Sequence, residues 1–573
     1  MNRRSGCYFF VGDKVASEYM VGSREEAYDV IVVGSGIAGL SAALAAAESG
    51  LSVVVFEKDH LIGGGTALSY GGLWAGCNHL ARAAGIADDR QAVHDYMLFV
   101  AGGAAHSELM NTFIDQAPVA TEFFARCGVK FQLSRGLADH YYPVAPGSIS
   151  EGRMFETEPI SVNELGDLAG KIRDSVIDPR IVTVEEICRW GGMVNHKNWD
   201  QTTIEHRRKH AVKANGPALV TYFVKALLKH KVPIVLDTPA ESVERENKEI
   251  VGVRIGGGKV ITARRGVVLA TGGWEGDPIA VREFEGLPEA RSSFPSAVSG
   301  DGWKLAGAVG ASTALIRNSL ATILGFFVPS EDGGEPEFRQ SQILECVCPH
   351  TVIVNAHGER FSDETYFQGT VEALRHYDIW RREYRNSPCY LIFDAQYVKT
   401  FSFCGAPVGV KPPNWVANAD TLAELAGKLG INSERFQTTI ARFNDFSREG
   451  VDHDFHRGAT RFGLTDRDAI KGGNLVNQRL GTLEIAPFYG IRLYPGVFVS
   501  SGGIRINRHG QAVGTSGQSI PKLYVVGNAA AHLEYGVGYQ AGYSLTSGMT
   551  FGYLAAQHMA GANCATRKNG AVR

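Results

Sequence analysis

The sequence predicts an α/β fold that is built on a Rossmann-type dinucleotide-binding domain, into which a second domain of α+β structure is inserted. The first observation is a strand, glycine turn, helix and second strand between Tyr28 and Lys58. The second is that two later strands, near 266–273 and 520–528, also end in glycines. The third is the length of 573 residues, which exceeds what one hydrophobic core supports and indicates more than one domain.

The composition excludes several classes of protein. Hydrophobic residues make up 44% and charged residues 20% of the chain, which is typical of a folded globular protein. The formal net charge of -3 gives no basic surface, so we expect no nucleic-acid partner. No signal peptide or transmembrane segment is visible, so we expect a cytoplasmic protein that could contact a membrane surface peripherally to collect an apolar substrate.

The cysteines indicate reduced thiols and no metal centre. There are nine, an odd number, and they are scattered along the chain. Cys346 and Cys348 form the nearest pair, but their CxC spacing lacks the usual pattern of a zinc or c-type haem site. We therefore expect no bound metal.

A phosphate-binding fingerprint lies in the stretch YDVIVVGSGIAGLSAALAAAESGLSVVVFEK. Gly34, Gly36 and Gly39 stand in GxGxxG register after an apolar run. Such glycines permit a tight turn, the approach of the backbone to a pyrophosphate and close packing of helix on sheet. Glu57 ends the second strand, where a carboxylate can accept hydrogen bonds from ribose hydroxyls. Together these features predict a dinucleotide site.

Further small-residue segments extend this site along the chain. LIGGGTALSYGGLW follows soon after Glu57, and GVVLATGGWEGDP and IPKLYVVGNAA read as strands that end in glycines. Widely separated segments of this kind indicate one elongated cofactor that runs through the fold. FAD fits that arrangement better than NAD.

In this order, the segments resemble the flavoprotein subunit family of fumarate reductase and succinate dehydrogenase, which includes the FAD-dependent 3-ketosteroid dehydrogenases. The resemblance covers nearly the whole chain from Tyr28 and includes SGDGWKLAGAVGA and NAHGERFSDE. It implies an FAD-binding domain of the GR2-like type. Some relatives carry the flavin covalently on a histidine of the GG-rich loop, but 61–74 contains no histidine, so we expect non-covalent FAD. The predicted cofactor-binding residues are Gly34, Ser35, Gly36, Ile37, Ala38, Gly39, Glu57, Lys58, Gly64, Gly65, Thr66, Ser69, Gly71, Gly72, Ala270, Thr271, Gly272, Gly273, Asp301, Gly527, Asn528, Ser544 and Leu545.

The predicted domain organisation places a cap inside the FAD-binding domain. The middle of the chain has no second phosphate fingerprint but many aromatic residues and a mixed pattern of helices and strands, so we expect the active site between the two domains. For 130–215, rich in Arg, His and Trp, we favour a solvated excursion over a lid or an oligomer contact. The expected segments are an N-terminal extension (1–26), the FAD-binding domain (27–285 and 483–566), the cap (286–482) and a C-terminal tail (567–573).

Near the C-terminus, the stretch EYGVGYQAGYSLTSG is a glycine-rich bend with three tyrosines. In fumarate reductases the corresponding bend carries an arginine and a histidine that hold the substrate carboxylates. Here Tyr539 stands at the arginine position, and 535–543 contains no cation. The bend is similar instead to that of ketosteroid dehydrogenases, with Ala541 in place of their serine. Tyr539 and Gly542 are three positions apart rather than four as in the 1,2-dehydrogenases, so the bond that is oxidised stays open. For His532 we favour a solvated or backbone-bonded role over contact with an acid.

Two further elements support this resemblance. GERFSDETYFQG puts Tyr366 after an RF-x-x-E element, where those enzymes keep a catalytic tyrosine. ADHYYPVAPGSISEGR resembles the elements that supply another. The sequence does not separate Tyr141 from Tyr142, and we favour Tyr142.

Phenols suit the chemistry that the resemblance implies. Desaturating a ketone next to its carbonyl removes an α-proton while a hydride leaves the β-carbon for flavin N5. A phenol can donate a hydrogen bond to an enolate and relay protons without adding a net charge that would repel an apolar substrate. The hypothesis assigns Tyr366 to proton transfer, Tyr142 to assist it, and Tyr539 with the Gly542 N–H to clamp the carbonyl. Tyr366 and Tyr539 could exchange roles.

The expected function is that of an FAD-dependent dehydrogenase that introduces a C=C bond beside a ring ketone, foremost a 3-ketosteroid. A smaller cyclic ketone stays open as substrate. A reductase of an enone or a fumarate-like acid is a second possibility, with Arg360 or Arg375 as the cation for the acid. A remote alternative is a flavin-binding interaction module without chemistry. The external electron acceptor and the oligomeric state are left open.

Overall fold

The computed structural model describes residues 26–561, except for 175–180, 193–198, 288, 293, 317–321, 331–332, 335, 342–344, 405, 460–474, 498 and 501. The expected N-terminal extension, apart from residue 26, and the expected C-terminal tail therefore lie outside the described residues. Within the described ranges, no helix is both long enough and apolar enough to cross a bilayer.

Numbered in chain order, the strands are β1 (Ala27–Val33), β2 (Val53–Phe56), β3 (Leu73–Trp74), β4 (Phe131–Leu133), β5 (Met154–Thr157), β6 (Ile160–Ser161), β7 (Val212–Lys213), β8 (Ile234–Val235), β9 (Ala240–Glu246), β10 (Glu249–Ile255), β11 (Lys259–Leu269), β12 (Arg291–Ser292), β13 (Thr313–Leu315), β14 (Thr322–Val328), β15 (Glu337–Gln340), β16 (Thr351–Asn355), β17 (Tyr377–Asp378), β18 (Glu383–Tyr384), β19 (Cys389–Phe393), β20 (Ala417–Ala419), β21 (Phe488–Val497), β22 (Gly502–Ile504), β23 (Gln511–Val513) and β24 (Ser519–Val525). The α-helices are α1 (Ile37–Glu48), α2 (His79–Ala83), α3 (Arg90–Val100), α4 (Ser107–Arg126), α5 (Val184–Arg189), α6 (Gln201–Lys209), α7 (Asn215–Lys229), α8 (Pro278–Glu285), α9 (Asp301–Ala308), α10 (Phe367–Leu374), α11 (Ala395–Thr400), α12 (Leu422–Leu429), α13 (Ser433–Glu449) and α14 (Tyr543–Met559).

The first sheet confirms the predicted Rossmann-type α/β fold. Its parallel strands run in the order β24, β11, β1, β2 and β8, with β23 antiparallel at one edge and β10 and β9 branching from β11. The near-continuous apolar runs of β1 and β2 are typical of parallel strands covered on both faces, and every residue of β2 is buried. The two strands of the predicted strand–turn–helix–strand unit, β1 and β2, thus lie in the interior of this sheet.

Helix α14 packs directly on α1, the helix that follows the fingerprint. A Cβ atom on Gly552 would lie 2.7 Å from the Ala38 carbonyl oxygen, and one on Gly548 would lie 3.0 Å from the Ala38 Cβ. Only glycine lets the two backbones approach this closely. The packing places the bend before α14 beside the amino end of α1, although the two are separated by most of the chain.

The second sheet forms the cap. Its central strand, β21, pairs antiparallel with β14, β19 and β20 and parallel with β12, while β15 and β16 extend the sheet beyond β14 and β19. Helices α12 and α13 cover one face, where Leu425, Phe436 and Ile440 pack in one apolar cluster with Val352 and Ile392.

The position of β21 bears on the cap boundary. Phe488–Val497 lies within 483–566, the segment expected to form the returning part of the FAD-binding domain, yet all its strand partners belong to the cap sheet. Residue pattern alone does not show which sheet a buried strand joins. We propose that the chain returns to the FAD-binding domain after Val497.

The close contact between α1 and the glycine turn that follows β1 gives a test of the fold. A Cβ atom on Gly39 would lie 2.1 Å from the Gly34 carbonyl oxygen. We therefore expect Gly39→Ala to lower the free energy of unfolding by about 1–3 kcal/mol through overpacking. Urea unfolding followed by circular dichroism measures the change. Gly307→Ala in α9, where no neighbouring heavy atom lies within 4 Å, is the control and should be neutral or stabilising. Equal stability of the two variants would contradict the proposed packing constraint.

Candidate active site

The fingerprint turn is organised by side chains from two predicted segments. The Ser35 N–H and hydroxyl donate to Glu57 Oε2 at 2.9 and 2.7 Å, and the Ile37 N–H donates to Thr66 Oγ1 at 3.0 Å. The N-cap residue of α1, Gly36, has no side chain to cap the helix, and the first turn contains no acidic residue. The N–H groups that Thr66 leaves free and the positive end of the helix dipole therefore suit a pyrophosphate.

Other predicted cofactor residues meet beside this turn. Lys58 Nζ lies 2.5 Å from Asp301 Oδ2, and Thr271 Oγ1 accepts the Gly302 N–H at 2.9 Å. The Ser544 hydroxyl donates to Asn528 Oδ1 at 2.8 Å. The fold thus brings the ATGG, GDG and C-terminal segments to one edge of the parallel sheet.

Several predicted glycines have packing roles. A Cβ atom on Gly65 would overlap the Phe294 ring at 2.1 Å, one on Gly71 would lie 2.3 Å from the Asn215 carbonyl carbon, and one on Gly273 would lie 1.7 Å from Ser500 Oγ. Gly64, in contrast, is open, because a Cβ atom there would have no heavy atom within 4 Å. The remaining predicted residues line the same segments: Gly36, Ala38, Ser69, Gly72, Ala270, Gly272, Gly527 and Leu545.

A buried carboxyl group that sequence reasoning missed lies beside this cradle. Glu275 is fully buried, its Oε1 accepts from the Ser500 N–H at 2.8 Å and from Asn528 Nδ2 at 3.2 Å, and its Oε2 has no hydrogen-bond partner among the described residues. Burial raises the pKa of Glu275, so its neutral form can donate a hydrogen bond. Together with the acid-free helix end, these polar groups fit a bound FAD. That the flavin is non-covalent stays a prediction.

His532 corrects an expectation from the sequence. Among the described residues its contacts are with side chains and not with the backbone, because its Nε2 lies 3.0 Å from Asn528 Oδ1 and its Nδ1 lies 3.3 Å from Glu534 Oε1, and its side chain is only 14% exposed. Ser547 also donates to Glu534 at 2.6 Å. Burial opposes ionisation of Glu534, but His532 and these hydrogen bonds outweigh it and hold its pKa below the usual value. The histidine is therefore part of a buried polar chain.

Three tyrosines from distant segments of the chain come together: Tyr141, Tyr366 and Tyr539. The rings of Tyr141 and Tyr366 meet edge to face with centroids 5.4 Å apart, and their hydroxyl groups interact. The backbone N–H of Tyr539 donates to the Tyr141 oxygen. Three segments distant in the chain thus converge on the hydroxyl of Tyr141.

Tyr142, the residue that the sequence favours, has no such contact with Tyr366 among the described hydrogen bonds and ring contacts. Its side chain is half-buried, and its N–H donates to the Asp139 carbonyl oxygen at 3.0 Å in a turn. Successive side chains of a turn point in different directions, and here Tyr141 is the one directed at Tyr366.

The environment keeps these phenols neutral. Burial raises the pKa of Tyr366, and the neighbouring Tyr141 raises it further. Burial also raises the pKa of Tyr141 and of Tyr539. His140, whose ring lies 5.4 Å from that of Tyr539, has its pKa lowered far below the usual value by burial and is neutral as well.

Gln540 joins the C-terminal bend to the segment that carries Tyr141. Gln540 is fully buried. Its Oε1 accepts hydrogen bonds from the Tyr96 hydroxyl and from the backbone N–H of His140, the latter at 3.0 Å. In return, the Ala541 N–H donates to His140 Nε2 at 3.2 Å. The position of Gln540 inside the glycine-rich bend is a feature of the sequence that could have identified it as a site residue. No feature of the sequence around Tyr96 indicates that it contacts the site.

A buried ion-pair cluster anchors the segment from Asp139 to Arg153. Arg153 lies 2.7 Å from Asp88 and 2.8 Å from Asp139, and the three side chains are 1%, 2% and 0% exposed. Asp139 also accepts from Trp74 Nε1 at 2.8 Å. The favoured interpretation of a solvated excursion is therefore wrong for this part of 130–215, because the segment packs at the site.

A second buried cluster holds Tyr366. Arg360 lies 2.6 Å from Glu364 and 2.8 Å from Asp452, and Arg457 lies 3.2 Å from Glu364. Burial opposes ionisation of Glu364, but the two arginines outweigh it and hold its pKa below the usual value. Tyr366 follows two residues later and precedes the first residue of α10.

Gly542 supplies a backbone position that a side chain would block. Its φ is 81°, in the left-handed region, and a Cβ atom would lie 2.6 Å from the Leu73 carbonyl carbon. It precedes α14, and its N–H has no acceptor in the described ranges. This N–H, at a helix amino end, can therefore bind an oxygen of a ligand.

Comparison with known proteins supports the assignment of an FAD-binding fold independently. The family model described as "FAD binding domain" matches residues 29–547. A 4-oxocyclohexanecarboxylate 2-dehydrogenase of Sinomonas cyclohexanicum is 32% identical over 95% of this chain and 95% of that protein. A 3-oxosteroid 1-dehydrogenase of Mycobacterium tuberculosis is 33% identical over 93% of this chain and 98% of that protein. The structure of a 3-ketosteroid delta1-dehydrogenase from Sterolibacterium denitrificans, in complex with 1,4-androstadiene-3,17-dione, has a TM-score of 0.81 and 26% identity, covering 94% of this chain and 100% of that one.

The Arg153 cluster gives a test of the site's support. Arg153→Met would leave Asp88 and Asp139 buried without their countercharge, so we expect a loss of about 3–5 kcal/mol in the free energy of unfolding. Urea unfolding measures the loss. The control is Arg135→Met in the same segment, where the half-exposed arginine lies 3.5 Å from Glu151 and should contribute at most about 1 kcal/mol. A loss no larger than that of the control would show that the cluster does not anchor the segment.

Proposed function

This chain belongs to the FAD-binding-domain family of flavoenzymes, and from that premise we propose that it desaturates a ring ketone beside the carbonyl. In the reaction the α-carbon loses a proton, the β-carbon loses a hydride, and a C=C bond forms between them. FAD is the cofactor, and when bound it supplies the hydride acceptor.

The observation that carries this proposal is the group of buried neutral phenols Tyr141, Tyr366 and Tyr539, of which Tyr539 stands where the resemblance to fumarate reductases places an arginine. Arg360, one candidate cation for a carboxylate substrate, is fully engaged by Glu364 and Asp452. Arg375, the other, lies 2.9 Å from Glu372 and 3.7 Å from Glu285. A neutral ketone suits this site better than a dicarboxylate, which argues against the fumarate-type reductase.

The contact between Tyr366 and Tyr141 supports Tyr366 as the proton-transfer residue, with Tyr141 replacing Tyr142 as its assistant. The phenolate form of Tyr366 accepts the α-proton of the substrate and becomes a neutral phenol, and the Tyr141 hydroxyl can donate a hydrogen bond to that phenolate oxygen. The Tyr539 N–H donates to the Tyr141 oxygen, which polarises the Tyr141 hydroxyl and strengthens the hydrogen bond that it donates.

Tyr539 and Gly542 remain the proposed carbonyl clamp. A hydroxyl and a backbone N–H directed at the ketone oxygen stabilise the enolate that forms as the α-proton leaves, and one such donor is typically worth about 2.7–4 kcal/mol. The positive φ of Gly542 and its close approach to Leu73 fix the N–H in place. The buried His140 and Gln540 hold the bend in place through hydrogen bonds between His140 and residues 540 and 541.

We propose a 3-oxosteroid as the substrate and its 1,2 bond as the one oxidised. The Mycobacterium tuberculosis relative and the Sterolibacterium denitrificans structure, both named as steroid 1-dehydrogenases, support this choice. The second candidate is a 4-oxocyclohexanecarboxylate, because a relative named for that substrate is as similar in sequence. The neutral site around the three tyrosines favours the steroid.

The test uses 4-androstene-3,17-dione, whose 4,5 bond is already unsaturated, with an artificial electron acceptor. We expect conversion to 1,4-androstadiene-3,17-dione, identified by mass spectrometry and NMR, and bleaching of the flavin without the acceptor. Turnover of 4-oxocyclohexanecarboxylate alone would select the second candidate. Turnover of fumarate, or flavin that no ketone bleaches but that exchanges electrons with a protein, would overturn the proposal.

The neighbouring tyrosines provide a matched pair of variants. We expect Tyr141→Phe to lower kcat by about a hundred-fold, because the Tyr366 phenolate loses the hydroxyl that assists it. Tyr142→Phe, one residue away, should retain nearly all activity. Steady-state kinetics with both variants, checked for equal flavin content, measures the difference. Similar losses in the two variants would rule out a specific role for Tyr141.

The raised pKa values give a prediction for pH dependence. An ordinary tyrosine has a pKa of about 10, and burial raises that of Tyr366 above it, so only a small fraction is ionised near neutrality. We expect kcat/KM to increase with pH and to reach no plateau below about pH 10. A pH profile on the wild type measures this, and Tyr366→Phe should flatten it. A plateau near neutrality would show that another group accepts the proton.

A further inference from the structure

A small hairpin on the cap presents two large apolar side chains to solvent. Strands β17 and β18 pair, and their turn carries Ile379, Trp380, Arg381 and Arg382. Ile379 is 68% exposed and Trp380 is 93% exposed, the highest value for any large hydrophobic side chain in the described part of the chain. A contiguous exposed apolar patch is a feature by which interaction sites are recognised.

The hairpin is held in a defined conformation. The Tyr377 and Tyr384 rings meet edge to face with centroids 5.2 Å apart. Asp378 Oδ1 accepts the N–H groups of Trp380 and Arg381 at 2.9 and 3.0 Å, and Arg382 has a φ of 61°. Because the turn is closed by its own hydrogen bonds, it projects Trp380 outward instead of folding it back on the cap.

The base of the hairpin is tied to the element that follows Tyr366. The Arg385 N–H donates to the His376 carbonyl oxygen at 2.9 Å, and Asn386 Nδ2 donates to the Ala373 carbonyl oxygen, in α10, at 2.8 Å. Arg375 Nε also donates to the Glu285 carbonyl oxygen at 3.1 Å. The hairpin is thus a rigid projection from the cap, one short helix away from the tyrosine pair.

We propose that this hairpin docks the protein on a lipid bilayer that contains anionic headgroups. Tryptophan prefers the membrane interface, where its ring lies among the headgroups and its N–H stays hydrated. Arg381 and Arg382 are both exposed at the tip of the turn, and Arg381 lies 4.0 Å from the carboxylates of Asp378 and Glu383, which belong to the two strands. Guanidinium groups at this position complement lipid phosphates, so the tip combines exposed apolar side chains with a cationic rim formed by the two arginines.

The docking does not depend on the proposed substrate, but the two fit together. An apolar ring ketone partitions into membranes, and a cap held at the bilayer surface would bring the domain junction near that pool. A second copy of this chain is the other possible occupant of the hairpin. The exposed arginines favour the lipid surface, because the phosphates of the lipid headgroups can pair with them.

The experiment is co-sedimentation of the FAD-loaded protein with vesicles of phosphatidylcholine, with and without phosphatidylglycerol. We expect stronger binding to the anionic vesicles, weakened by salt. Trp380→Ala should lower the partition coefficient by about ten-fold or more, and Trp380→Tyr by less. Arg381→Gln with Arg382→Gln should remove the preference for anionic vesicles. The control, Ile279→Ser, removes a 57% exposed isoleucine on α8 and should bind like the wild type.

Flavin content and turnover of a soluble ketone should be unchanged in all these variants, which separates loss of docking from misfolding and from failure of the proposed function. Wild-type protein that ignores both kinds of vesicle, or Trp380→Ala protein that binds as well as the wild type, would overturn the proposal. So would a multimer, detected by light scattering, that Trp380→Ala converts to monomers without vesicles present.

Discussion

The close backbone packing of α14 on α1 is the constraint on which the rest of the structure depends. Ala38, Gly548 and Gly552 let the two helices approach until their backbones touch. This contact joins the amino-terminal fingerprint to the carboxy-terminal bend, so that Ser544 and Asn528 lie at the cofactor cradle and Gly542 lies against Leu73. Without it, the phosphate-binding turn and the proposed carbonyl clamp would belong to separate surfaces.

Buried ion pairs surround the proposed active site, whereas the side chains at its centre are neutral. Arg153 with its two aspartates anchors the segment of Tyr141, and Arg360 with its carboxylates anchors that of Tyr366. Each cluster is buried and satisfied internally, so it provides rigidity without presenting a free ion to the substrate. The centre contains phenols and a neutral histidine, which suits a reaction in which an uncharged ketone becomes an enolate for a moment.

The cap contributes to both the proposed chemistry and the proposed membrane docking. It supplies Tyr366 from the turn before α10, and the same helix leads into the hairpin of Trp380. A rigid cap therefore couples the surface that we propose to meet the bilayer with the residue that we propose to move the proton. Placing both on one element would let an enzyme of apolar ketones work where its substrates accumulate.

The sequence by itself determined the Rossmann-type core, because glycines in GxGxxG register between an apolar strand and a helix bring the backbone close to a pyrophosphate. It also determined FAD as the cofactor, because glycine-ending strands recur far along the chain, in an order that resembles a family of FAD-dependent enzymes. Tertiary structure alone decided that Tyr141, rather than Tyr142, meets Tyr366, since neighbouring residues in a turn differ only in direction. It also decided that β21 joins the cap sheet and that Gln540 and Tyr96 support the site. These relations are contacts between segments far apart in the chain, and no local pattern records which distant partner a side chain will find.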